Sequence, residues 1–169
     1  MDKRGLVIVD SSVIFSLAIV NKLNILELLF DEIRIPLAVW EEITKVKSNE
    51  IFKSINLFFS DKMVEISSFN ELTFVMDYGE SESVILYKEL DANFLLIDDK
   101  KARIIAENFG LKCIGTLGIL LLAKKEGIIT QLKPIFEKLL KNKRYYSIIL
   151  LNQILLSQGE SHISKTFEK

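Results

Sequence analysis

Two short apolar runs that end in aspartate constrain this chain most. Leu6 to Val9 closes on Asp10, and Phe94 to Ile97 closes on Asp98 and Asp99. Neither run alternates apolar with polar residues, so each reads as a strand buried on both faces, as in a parallel sheet covered by helices. Ser11 and Ser12 open an apolar helix to about Ile19, and Asn21 is expected to cap a second through Phe30. Ile33 to Ile35 reads as another strand, and Pro36 suits the first turn of a helix reaching about Val46. A polar helix is expected over Glu50 to Ser60, and Met63–Ile66 and Lys112–Ile114 supply further strands. Helices are expected from Gly79 to Leu90, from Asp98 or Asp99 to Asn108, and near Thr116–Glu126, Thr130–Leu140 and Tyr146–Ser157. This alternation predicts an α/β fold, a mostly parallel sheet with helices on both faces.

At 169 residues the chain is about one domain's worth and can bury roughly 70% of its unfolded surface. With 49% hydrophobic residues, seven Gly and two Pro, it is neither disordered nor collagen-like. Cys113 is the only cysteine, which excludes an internal disulfide and a thiolate zinc site and fits a reducing cytoplasm. Lys3 and Arg4 before the apolar stretch Leu6–Val20 imitate a secretory signal, but Asp10 interrupts the stretch. A carboxylate there costs about 2.5–3.5 kcal/mol on insertion scales, and no small-residue cleavage pattern follows. A cytoplasmic chain with no membrane segment is the expectation.

In a parallel sheet, functional groups gather beyond the carboxyl ends of the strands. Asp10, Asp98 and Asp99 therefore become neighbours, although each alone also fits a helix N-cap. Glu42 shares a helical face with Val39 and Val46, whereas Glu41 has Lys45 four residues on, as in a surface ion pair. Glu42 is thus expected to point inward. Glu82 lies in line with Ile85 and Leu86, and Glu80 lies beside Ser83, so Glu82 is the inward candidate and Glu80 its substitute. Four gathered carboxylates repel by about 4 kcal/mol per pair at 4 Å and an effective dielectric near 20. An all-oxygen set without His or Cys is what Mg²⁺ or Mn²⁺ prefers. Ser12 either orients a carboxylate or metal-bound water or caps a helix. Cys113 reads as core, and His162, in the polar tail, has no catalytic part.

The formal charge is −1, so a polyanion would need a local patch. Lys100, Lys101 and Arg103 follow Asp99 directly. From Leu120 to Tyr146, seven basic residues stand against Glu126 and Glu137, a segment of +5 that leaves −6 for the rest. Lys138, Lys141, Lys143 and Arg144 in that stripe, with Tyr145 and Tyr146 as stacking faces, are either a nucleic-acid path or a solvated lysine face. Gly115-Thr116-Leu117-Gly118 either holds a phosphate on backbone N–H groups or is a tight turn into a helix. Tyr146 to Ser157 is apolar on more than one face, so it packs in the core or meets another chain. A phosphatase of haloacid-dehalogenase type would want a second Asp two residues after Asp10, where Ser12 stands.

VIVDSS, PLAVWEEI, GESESVI, LLIDDKKAR and IGTLGILLLAKKEG together resemble the PIN-domain family, and most of all its toxin-type ribonuclease branch, over roughly Leu6 to Gly127. The resemblance implies one PIN-like domain over residues 1–169, a three-layer α/β/α sandwich with 128–169 as a C-terminal helical extension. It further implies a Mg²⁺- or Mn²⁺-dependent ribonuclease with Asp10, Glu42, Glu82 and Asp99 as catalytic acids. Of these, Asp10, Glu82 and Asp99 would hold metal, with Ser12 and Asp98 supporting. The third acid is more often Asp in the wider family, so Glu82 follows the narrower branch. RNA as substrate, a small antitoxin as partner and a homodimer complete the implied picture. The alternative is a PIN-like module that binds RNA or protein without turnover.

Overall fold

The computed structural model describes residues 3–45 and 50–164. Its sheet has five parallel strands, β1 (Leu6–Val9), β2 (Glu32–Pro36), β3 (Met63–Val64), β4 (Phe94–Leu96) and β5 (Cys113–Ile114), in the order β3-β2-β1-β4-β5. The central strand is therefore the first in the chain. Val7 pairs with Ile33 on one side and Phe94 on the other, and Val9 pairs with Leu96, so β1 and β4 end side by side. The chain winds outward from β1 through β2 and β3, then returns to the other side through β4 and β5. Such a reversal places a crevice between the ends of β1 and β4.

The helices are α1 (Ser11–Ile19), α2 (Ile25–Leu29), α3 (Leu37–Thr44), α4 (Glu50–Phe59), α5 (Tyr78–Glu89), α6 (Lys100–Asn108), α7 (Thr116–Lys125), α8 (Lys133–Lys141) and α9 (Ile148–Ser157), with a 3-10 turn at Glu71–Phe74. They cover both faces. Val7 and Val9 pack with α1, α7, α8 and α9, whereas Ile8, one residue out of phase, packs with Val84 and Leu86 of α5 and Ala102 and Ala106 of α6. All three β1 side chains are fully buried, each burial contributing roughly 1.5–3 kcal/mol. This is the three-layer α/β arrangement expected from the apolar runs.

Several boundaries differ for physical reasons. Asn21 is not a cap but a left-handed turn residue after α1, with φ 57°, and Asn24 precedes α2 instead. Pro36 ends β2 and flanks α3 rather than lying inside it. Val46, the expected end of that helix, lies outside the described residues. α8 starts at Lys133 because Glu160, far along the chain, accepts from Leu132 N (2.8 Å) and Lys133 N (2.8 Å). Among the described residues no helix is long and apolar enough to cross a membrane.

Candidate active site

Asp10 follows β1 and caps α1. Its Oδ2 accepts from Ser12 N (3.0 Å) and Ser12 Oγ (2.5 Å), and the residue is 3% exposed. Burial pushes the carboxyl above its ordinary range, Ser12's donors oppose that, and the Glu42 carboxylate adds to the rise. The Ser12 hydroxyl also accepts from Asp98 N (3.1 Å), so one side chain ties the end of β1 to the end of β4.

The adjacent acids after β4 have separate fates. Asp98 accepts from Thr116 N (2.7 Å) on Oδ1, and on Oδ2 from Thr116 Oγ1 (2.7 Å), Tyr146 (2.9 Å) and Ser16 Oγ (3.2 Å). Both its oxygens are engaged by protein donors. Asp99 is exposed and caps α6 with Oδ1, which accepts from Ala102 N (2.8 Å); among the described residues Oδ2 has no donor. Asp98 braces α7 and α1, and Asp99 faces outward.

A similar division occurs in α5. Glu82 is buried as its position beside Ile85 required, but its Oε2 accepts from Ala38 N (3.0 Å) at the start of α3. Its hydrogen bond with the neighbouring Tyr78 phenol, reinforced by its charge, pushes that phenol upward. Glu80 reaches back to Asp77 N (3.3 Å). Burial pushes its carboxyl up to about 7, the Asp77 N–H opposing this and the carboxylates of Asp10, Asp99 and Asp77 reinforcing it. Glu80 and Asp99, with Lys101 and Phe74, line a cavity of about 310 Å³, whereas Glu82 and Tyr78 line another. Glu82 thus meets the start of α3, whereas Glu80 shares a cavity with Asp99 and lies in the field of Asp10 and Asp99.

Glu42 is exposed rather than inward, and it lies where α3 meets α5. A Cβ on Gly79 would be 3.2 Å from Glu42 Oε2 and 3.4 Å from Val39 Cγ2, so this close approach depends on glycine. The expected Glu41–Lys45 ion pair is not formed among the described residues.

The basic residues also divide. Lys100, Lys101, Lys141 and Lys143 are exposed, and Lys138 is half-buried near Lys22. Arg103 donates to Glu107 Oε1 (2.9 Å) and Cys113 O (3.2 Å). Arg144 departs from the expected stripe: its guanidinium donates to Ser16 Oγ (3.0 Å) and Ser12 O (2.5 Å), behind the acids. Tyr146 is likewise turned to Asp98, and its phenol is pushed up to about 12 by burial. Tyr145 stays exposed. Thr116 N is taken by Asp98, so the Gly115–Gly118 stretch is a tight turn into α7. Cys113 is half-buried, packed against the core rather than within it as expected, and burial raises its thiol to about 11. Neither Arg144 nor Tyr146 had a local signal for these contacts, which join residues more than 45 positions apart.

Acids converging on the switch point of a doubly wound parallel sheet define an α/β protein with an acidic carboxyl-edge site. A family model described as a PIN domain matches residues 6–160, and the chain belongs to that family. PIN domains are in general nucleases, that is phosphodiester hydrolases, and typically use divalent metal ions. No curated protein matches the chain. Among the described residues no three acidic, His or Cys side chains are arranged to hold a metal ion as they stand. The donor chemistry nonetheless fits a hard cation: Asp10, Glu80 and Asp99 offer only oxygens, and none is ion-paired to a basic side chain among the described residues.

Proposed function

We propose that this PIN domain is a Mg²⁺- or Mn²⁺-dependent endoribonuclease, the toxin of a type II toxin–antitoxin pair. One observation carries the reading: Asp10 after β1, Glu80 of α5 and Asp99 before α6 gather at the carboxyl edge, Glu80 and Asp99 line one cavity, and among the described residues none of the three is ion-paired to a basic side chain. In this reading they hold the cation, with Glu42 beside Asp10 as the fourth acid. Bound there, Mg²⁺ or Mn²⁺ would polarise a phosphoryl oxygen and acidify a water for in-line attack, leaving 5′-phosphate and 3′-hydroxyl ends. The protein's own part is placement. Ser12 fixes the Asp10 carboxylate, Ala102 N fixes one oxygen of Asp99, and the Asp98 network holds the two strand ends together. Lys100 and Lys101 offer charge for flanking phosphates, as do Lys138, Lys141 and Lys143 at greater remove.

The toxin reading brings with it a small antitoxin and a homodimer. The apolar residues left exposed on α9, Ile149 (73%) and Leu156 (67%), support a protein contact there. The competing reading, a non-catalytic PIN module, draws on the acids not standing ready to hold an ion. Purified protein incubated with mixed RNAs in Mg²⁺, Mn²⁺ or EDTA, beside Asp10→Asn, separates the two. Metal-dependent cleavage lost in the variant is expected, and RNA binding without cleavage by the wild type would favour the module.

A further inference from the structure

Phe74 and Phe69 are 89% and 86% exposed, and both flank the segment that leads into α5. The turn that carries the two rings is anchored. Asn70, between them, donates to the buried Ser81 Oγ (2.9 Å) and accepts from Leu72 N (3.2 Å), which pins the 3-10 turn onto α5. Phe74 lines the cavity that contains Glu80, Asp99 and Lys101. Phe69 lines the neighbouring cavity of about 540 Å³, and Thr73 borders both, so the two cavities adjoin.

We propose that Phe74 and Phe69 are base-stacking platforms that seat a single-stranded RNA segment across the acidic site, with Lys101 facing the phosphate between stacked bases. The proposal rests on the ribonuclease reading for the direction of the phosphate and deepens it by assigning the side chains that seat the strand. The chemistry favours nucleic acid over a protein partner. The rings are separated by Asn70 and Thr73, with Asp77, Glu80, Asp99 and Lys101 around Phe74 and Glu65 and Glu82 around Phe69, whereas protein interfaces deplete charge at their cores. Stacking needs only one exposed ring face per base and a cation for the backbone. A duplex, whose bases already stack on one another, cannot use these rings.

The test is equilibrium binding of a labelled mixed-sequence 12-nucleotide RNA, single-stranded or as a duplex, in EDTA so that no cleavage intervenes. Phe74→Ala should weaken single-strand binding by about 5- to 150-fold, the range for losing one stacked base, and Phe74→Trp should restore it. The salt slope should not change, because a neutral ring releases no counterions. Duplex binding should be equal in all three proteins. Because the ring is exposed, the thermal midpoint of Phe74→Ala should match the wild type, and Phe69→Ala provides a second variant. Unchanged single-strand affinity in both alanine variants, equal loss for duplex and single strand, or no binding by the wild type would each overturn the proposal. So would a Phe74→Ala variant with normal RNA affinity and altered self-association, which would assign the patch to protein. Cleavage is assayed separately in Mn²⁺. Stacking without cleavage would sink only the hydrolase reading, and cleavage with an unchanged KM in Phe74→Ala would sink only the platform.

Discussion

The carboxyl edge of the sheet has a saturated side and an unsatisfied side, only a residue or two apart in sequence. On the saturated side, Asp98 accepts four hydrogen bonds and Glu82 receives the N-terminus of α3, with Arg144 and Tyr146 closing over Ser12, Ser16 and Asp98. On the other, burial raises the Asp10 carboxyl with Glu42 adding to it, burial raises that of Glu80 with Asp10, Asp99 and Asp77 adding to it, and Asp99 is exposed with one oxygen that takes no donor among the described residues. The difference teaches that an acid's partners, more than its burial, separate carboxylates committed to bracing the fold from carboxylates with an oxygen to spare. Glu82 is the more buried of the α5 pair, yet it is the one that accepts from the first turn of a helix.

The sharpest way to break this contrast is mutation on each side. Asp10→Asn, Glu80→Gln and Asp99→Asn should each lower RNA cleavage on the order of 100-fold or more while the fold persists. Asp98→Ala should instead unfold the protein earlier, by about 2–4 kcal/mol, since it strands Thr116 and Tyr146 donors. Cleavage rates beside thermal midpoints make the check, and a stable Asp98→Ala protein that has lost only activity would reverse the assignment.

The basic stripe sharpens the same contrast. Gln at Lys138, Lys141 and Lys143 should weaken RNA binding and flatten its salt dependence by about 0.7 per lost contact, with little change in stability. Arg144→Ala should lower the melting temperature, because its guanidinium braces Ser12 and Ser16. Affinity measured across a salt series, paired with melting curves, distinguishes these roles; a destabilised triple variant beside an unaffected Arg144→Ala would contradict them.

A smaller effect follows from pH. The folded chain keeps the Glu80 proton up to about pH 7, whereas the unfolded chain releases it near 4.5. The folded state thus binds more protons between these values, and metal-free stability should fall as pH rises through that window. For a carboxyl about half exposed, solvent screening limits the change to about 1–2 kcal/mol. Melting in EDTA from pH 4.5 to 8 should show the decline in the wild type and a flatter profile in Glu80→Gln; identical profiles would show that the folded chain does not retain the Glu80 proton.

The sheet was legible because β1 and β4 are continuous apolar runs, and a strand buried on both faces permits little else. Asp10 and Asp99 were legible too, since a residue that ends such a strand must emerge at its carboxyl edge. The α5 pair was not. Helical phase correctly turned Glu82 inward, but phase says nothing of the α3 terminus waiting there, a contact 44 residues distant. Arg144 and Tyr146 read as surface for the same reason: their partners on α1 and after β4 are fixed by tertiary packing alone.

The most direct test of the central claim is thermal unfolding with and without millimolar Mn²⁺ for the wild type, Glu80→Gln and Glu82→Gln. Binding at 100 times the Kd should stabilise by roughly 2.7 kcal/mol. The account predicts a raised midpoint for the wild type and Glu82→Gln and none for Glu80→Gln. An unmoved wild type, or a response lost in Glu82→Gln and kept in Glu80→Gln, would contradict it.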